Sequence, residues 1–269
     1  MPEYSQLGIS DNFMFGLIMQ EPERCRRFLE QILGFPIDRI EYVEREKSVD
    51  EKIDAHGIRL DIYAEDGQAI YDCEMQTSLR KKLPKRSRYY QGHIDINHLK
   101  PGDDYEKLKK SFIIFICTFD PFEVGRYIYT FENLCLEDTS LPLNDGAIKV
   151  FVNTKGTVGD VSDEFKELMH FFDTSELKKY KNELVNDLAL ALALADARSR
   201  DEWRKEYMSI EMLKNECRAE GRAEGRAEGR EETKKENALA MLREKLSEAL
   251  VARCTGLSLD EVHALAATL

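Results

Sequence analysis

The sequence predicts an α/β fold, a mixed β-sheet core flanked by helices with an α-helical C-terminal extension. Three observations lead there. Two amphipathic helical stretches come before any strand pattern. Two segments of alternating polarity then flank an Asp66-Gly67 turn, as the arms of a β-hairpin do. Beyond a further helical stretch lies an Ile/Phe run at 111–119 that reads as a buried strand. Helices, antiparallel strands, a crossover helix and another buried strand, in that order, build a mixed sheet with helices packed on it.

Each element has a local reason. Ser10 suits the N-cap of a helix running from Asp11 to about residue 19, with Phe13, Leu17 and Ile18 apolar. Pro22 fits the first turn of a second helix that ends near Gly34, after Phe28, Leu29, Ile32 and Leu33. Residues 39–49 read as a strand that leads into a polar turn over 50–57, and the hairpin of 58–76 follows. A helix is expected from Lys85 to His98, carrying Tyr89, Tyr90, His93 and Ile94, with further strands at 126–131 and 148–153.

From residue 161 the pattern is helical to the end. Leu and Ala alternate over 188–195 at the strand period, but both are strong helix formers, and a buried helix is predicted. Trp203, Tyr207, Ile210 and Leu213 continue at helical spacing as packing positions. The chain therefore divides into a core over 1–160, a helical segment packing on it over 161–217, a repeat over 218–236 and a helical pair over 237–269.

Composition sets limits. The chain of 269 residues can bury one sizeable core, and with 33% charged residues it is expected to be soluble. Its longest apolar runs, 112–117 and 188–195, fall far short of the roughly 18 residues a membrane span needs. The first residues lack a basic segment followed by an apolar one. Six cysteines without a CxxC pair fit reduced thiols, so a cytoplasmic location is expected.

The hairpin carries the candidate chemistry. Ile58, Leu60 and Ile62 point one way while Arg59, Asp61 and Tyr63 point the other. On the second arm Tyr71, Cys73 and Met75 are the apolar set, and Asp72, Glu74 and Gln76 the polar one. With Asp66-Gly67 as a two-residue loop, Asp61 pairs with Asp72 and lies diagonal to Glu74. Diagonal side chains are close enough for two carboxylates to share a hard dication such as Mg²⁺. A solvated sheet face rich in acids is the alternative. Against it, Leu60, Ile62, Ile70 and Cys73 mark central strands, where an unpaired acid is costly.

The net charge of −12 speaks against a nucleic-acid binder, but its distribution does not. Arg80, Lys81, Lys82, Lys85, Arg86 and Arg88 form a basic strip with no acid among them, starting four residues after Gln76. Carboxylates that bind a metal, next to a cationic strip, suit phosphodiester chemistry. An exposed basic loop is the other reading. His93 and His98 have neither HExxH spacing nor a nearby cysteine and are expected to be packing or surface residues.

Arg-Ala-Glu-Gly repeats over 218–230. On a helix this period spreads the Arg and Glu positions into two slowly winding stripes on roughly opposite sides. Two copies could pair stripe to stripe, giving a homo-oligomer through the C-terminal helices; a charged spacer is the alternative. Ala238, Met241, Leu242, Leu246, Leu250 and Val251 predict one amphipathic helix ending near Gly256, and Ser258 to Glu261 has capping-box spacing for another. That last helix carries Asp260 and Glu261 and no basic residue, so it does not suit DNA reading.

Ser10-Asp11-Asn12-Phe13-Met14-Phe15, Arg59-Leu60-Asp61-Ile62-Tyr63 and Tyr71-Asp72-Cys73-Glu74-Met75-Gln76 together resemble the Rpn group of recombination-promoting nucleases, also described as transposases of the PD-(D/E)XK superfamily. Arg88-Tyr89-Tyr90, the 112–117 strand, the 150–156 segment and the repeat are similar to the same group, so the resemblance spans nearly the whole chain. It implies a restriction-endonuclease-like core with Asp61 and Glu74 as Mg²⁺ ligands, Mn²⁺ as an alternative ion and the Met75 carbonyl as a third ligand. The superfamily's lysine falls at Gln76, which can orient a water but brings no charge. Asp11 matches a family position and is an outer-shell candidate; Arg88 and Tyr89 are candidates for DNA contact. The implied activity is a Mg²⁺-dependent DNA endonuclease of low sequence specificity, linked to recombination or a mobile element. The rival is a catalytically weak nuclease fold that binds DNA or oligomerises.

Overall fold

The structure, a computed structural model, describes residues 7–49, 58–78, 82–197 and 201–269. The polar turn expected over 50–57 and the strip residues Arg80 and Lys81 lie outside the described residues, as does the side chain of Trp203. The chain forms two compact units, Met1–Ser199 and Arg200–Leu269, so the stretch 161–217 is shared between them.

In the first unit α1 (Asn12–Met19) and α2 (Pro22–Leu33) come first. The N-cap of α1 is Asp11 rather than Ser10: Asp11 is extended, and its Oδ1 accepts the Phe13 N–H at 2.9 Å. Glu21 caps α2 by accepting the N–H groups of Glu23 and Arg24. Gly34 ends it with φ of 76°, a conformation that costs glycine no Cβ clash. Then follow β1 (Tyr42–Val49), β2 (Ile58–Glu65), β3 (Ala69–Gln76) and α3 (Leu83–His98). A 3₁₀ turn leads to β4 (Lys110–Cys117), β5 (Ile128–Phe131), β6 (Ala147–Asn153), α4 (Asp163–Thr174) and α5 (Glu183–Ala197). The Leu/Ala run is helical, as its residue types require.

The six strands run in the order β1-β2-β3-β4-β6-β5. β3, β4 and β6 are parallel, while β1–β2, β2–β3 and β5–β6 are antiparallel, giving the mixed sheet expected. On one face Tyr90 and Ile94 of α3 pack with Ile113, Phe115 and Phe151. Phe15, Phe28 and Phe172, from α1, α2 and α4, meet at centroid distances of 5.5–6.1 Å in a second cluster. Every residue of β3 is buried, so this strand lies in the middle of the unit.

The second unit contains α6 (Asp201–Arg243), α7 (Glu248–Thr255) and α8 (Leu259–Ala266). The repeat is wholly within α6. Tyr207 is buried, but Leu213 is 62% exposed and is not the packing position its spacing suggests. The single helix expected to reach Gly256 is broken in two. Lys245 turns left-handed (φ 61°), Ser247 starts α7, and the chain folds back so that Val251 packs on Ala238, Leu257 and Val262. Ser258 and Glu261 form the capping box of α8.

Candidate metal-carboxylate site

The site is built by the hairpin turn. Asp66 Oδ1 accepts the N–H groups of Gln68 and Ala69 at 2.7 and 2.6 Å, and the Asp66 N–H bonds the Ala69 carbonyl. The aspartate thus closes the loop around Gly67-Gln68, not Asp66-Gly67. The register becomes Ile62↔Cys73 and Tyr63↔Asp72, which replaces the expected Asp61–Asp72 pair and puts Asp61 across from Glu74. The slip is two residues, so each side chain keeps its predicted face.

Here the carboxylates bond directly to the neighbouring backbone. The Asp61 N–H donates to Glu74 Oε1 at 2.9 Å, and the Met75 N–H donates to Asp61 Oδ2 at 3.0 Å. Asn12, the first residue of α1, donates its Nδ2 to the same Asp61 oxygen at 2.8 Å. The remaining Glu74 oxygen accepts from Arg86 Nη2. Arg86 also donates Nη1 to Gln76 Oε1 at 3.0 Å and Nε to the Tyr90 hydroxyl at 2.7 Å. Its guanidinium lies over the Phe115 ring at 5.4 Å. One arginine from α3 therefore ties together the second acid and the amide of the ExQ segment.

Burial sets the electrostatics. Asp72 and Glu74 are 0% and 1% exposed. Loss of water pushes both pKa values well above the ordinary carboxylate range, the charge of Asp61 pushes the same way, and Arg86 opposes it. For Arg86, burial works against the charge, but Glu74 and Tyr90 outweigh it and hold the guanidinium protonated. Neither Asp72 carboxylate oxygen has a hydrogen-bond partner among the described residues.

Of the sequence-derived residues, Asp61, Glu74, Met75 and Gln76 come together at the C-terminal end of β3. Asp11 precedes Asn12, which bonds Asp61, and its own carboxylate caps α1. Lys85 and Arg88 are exposed on α3 and Lys82 at its N-cap, and Tyr89 stands edge-on to His93 at 4.4 Å. Arg86 alone among the described strip residues turns inward to the acids. Asn12, Asp72 and Tyr90 are not among the site residues expected from the sequence. For Asp72 a signal existed: Ile70 precedes it by two residues on the same strand face, so that face was never wholly polar.

The donors fit a hard dication. Two facing carboxylates and a main-chain carbonyl are all oxygen, and a nearby orphaned acid calls for positive charge. Among the described residues no three His, Cys, Asp or Glu side chains are grouped to hold a metal. Two carboxylates completed by water match the reluctance of Mg²⁺ to dehydrate.

A mixed sheet with helices on its faces, and an acid on each of two adjacent central strands, is a restriction-endonuclease-like α/β core. The chain belongs to the PD-(D/E)XK nuclease family transposases, which it matches over residues 14–155, all but the first residues of α1 through the end of β6. Such nucleases generally use divalent metals. Neither the curated proteins nor the solved structures give a match. Among the described residues no helix is long and apolar enough to cross a membrane.

Proposed function

We propose that the chain is a Mg²⁺-dependent DNA endonuclease of low sequence specificity, serving recombination or a mobile element. The observation that carries this reading is the facing pair Asp61 and Glu74, cross-bonded through the Asp61 and Met75 N–H groups. Asp61, Glu74 and the Met75 carbonyl would hold the ion, with Mn²⁺ as the alternative. When bound, such an ion lowers the pKa of a water and offsets charge on the phosphate. The protein's own groups do the rest. Asn12 fixes the Asp61 carboxylate by donating to its Oδ2.

Gln76 brings no charge where the superfamily has a lysine. Arg86, bonded to its Oε1, supplies a permanent cation at the same place. Among the described residues the N-terminus of α3 has no side-chain cap, and Lys82 at its N-cap and Lys85 in its first turn stand exposed. Helix N-terminal N–H groups and lysines together favour a phosphate of the DNA backbone.

Nicking of supercoiled plasmid tests the reading. Mg²⁺ or Mn²⁺ is expected to support cleavage and EDTA to stop it. Asp61→Ala and Glu74→Ala are expected to abolish it, and Arg86→Ala to slow it by about 10²-fold or more, the usual scale for one lost charge donor. One observation favours a second reading. Arg86 already engages Glu74 Oε2, as in a fold that binds DNA without cutting it. Retained DNA binding with no nicking in any metal would select that module instead. Pairing of α6 between two copies through the Arg and Glu stripes belongs to the same proposal. Sedimentation should then give a larger mass for the full chain than for a truncation ending at Tyr207, in excess of the deleted residues.

A further inference from the structure

Beside α3, on the side away from Glu74, lies a cleft of about 370 Å³. Its floor is aromatic. Phe151 is buried, Phe122 stands against it at 5.1 Å and 87°, and Phe131 at 5.7 Å and 86°. Phe131 ends the edge strand β5 and is 45% exposed, so one aromatic surface is open to solvent. Two cations flank it. Lys149 is the direct cross-strand partner of Phe131, and Arg88 is exposed on α3 with no ion pair among the described residues. Glu132 stands at the rim.

The cleft and the carboxylate site share helix α3: Arg88 lines the one and Arg86 bonds Glu74 in the other. The Arg86 guanidinium lies 5.4 Å from the Phe115 ring, and Phe115 stacks on Phe151 at 5.5 Å and 13°. Two buried rings therefore join Arg86 to the floor of the cleft. Its volume is at the lower end of small-ligand clefts. A rim carboxylate repels a bare phosphate but accepts from an N–H on the edge of an unpaired base, such as the N3–H of thymine. Aromatic rings with flanking cations are the chemistry that holds unpaired nucleotides, the rings stacking on bases and the cations meeting the backbone.

We propose that this cleft is a base-stacking subsite for an unpaired nucleotide of the substrate DNA, with Phe131 as the stacking residue and Arg88 and Lys149 on the adjoining phosphates. The inference rests on the nuclease reading and narrows its substrate to DNA with unpaired nucleotides close to the cut. A base inside a duplex cannot reach such a cleft without unstacking.

The test is fluorescence anisotropy of the full chain in EDTA, with a labelled thymidine oligonucleotide and an abasic strand of equal length, alongside Mg²⁺ cleavage of a bubble-containing and a fully paired duplex. Phe131→Ala is expected to weaken thymidine-strand binding about 5- to 100-fold, the scale of one lost stack, and to leave the abasic strand unaffected. Phe131→Trp should restore binding, Phe131→Leu should not, and Arg88→Ala should weaken both strands. The wild type should cut the bubble in preference to the paired duplex. Equal binding by wild type and Phe131→Ala, with metal-dependent cleavage intact, overturns the subsite and leaves the nuclease standing. Equal loss on both strands also overturns it, since stacking would not be what Phe131 provides. A wild type that neither binds nor cleaves overturns the subsite together with the nuclease reading.

Discussion

On β3 the side chains of Asp72, Glu74 and Gln76 sit with almost no contact with water, whereas Arg222, Arg226 and Arg230 on α6 stand in solvent. The first unit contains its polar groups inside a packed sheet; the second spreads them along a helix. Burying a carboxylate is expensive unless a partner or ion compensates, while a solvated charge costs little. Natural selection has little structural reason to place two acids on a buried strand, and none is needed to place arginines on an exposed helix. The contrast makes the β3 acids the informative charges and the repeat, although more conspicuous in the sequence, the less informative set.

The largest effects should come from returning positive charge to the buried acids. Asp72 and Glu74 have their pKa values raised by burial, so the folded state prefers them protonated. Their contribution to stability is therefore full below the pKa of the unfolded chain, and it is lost as pH rises through the folded value. In EDTA the melting temperature of the first unit should fall from pH 5 to pH 8. Asp72→Asn should flatten that slope, with its gain over wild type growing toward pH 8. Mg²⁺ at 100 times its dissociation constant should add about 2.7 kcal/mol, and Asp61→Ala should remove the addition. A melting temperature indifferent to both pH and Mg²⁺ would break the contrast, because the β3 acids would then behave like those on α6.

Legibility in the sequence follows the same division. Alternation alone put Asp61, Glu74 and Gln76 on one face, and the face survived a two-residue error in register because the strand period is two. The error came from Asp66, read as part of the turn when its carboxylate instead closes the loop from outside. Helix caps at Glu21, Gly34 and Ser258 lie within a few residues of what they cap, but only Gly34 and Ser258 are residue types that announce it. Arg86 could not be read in this way. It stands in a run of basic residues that looks like a solvated strip, and only the packing of α3 on β4 turns it to Glu74 and Gln76. Asn12 meets Asp61 across 49 residues of sequence, a contact no local pattern encodes.

The smallest predicted effect distinguishes the two units through one residue type. A Cβ at Gly156, just beyond β6, would lie 2.5 Å from the backbone Cα of Tyr127, and main chain cannot step aside as a flexible side chain can. Gly156→Ala should therefore destabilise the first unit by about 1–3 kcal/mol, the usual cost of overpacking. A Cβ at Gly225 in the repeat meets nothing within 4 Å. There the substitution removes only the entropic penalty of a mid-helix glycine, so Gly225→Ala should stabilise α6 by about 0.8–1 kcal/mol. Thermal melts followed by circular dichroism at 222 nm would read both signs. If Gly225→Ala destabilised instead, the repeat glycines would be held against a neighbour, and pairing of α6 between copies is the contact that would put one there.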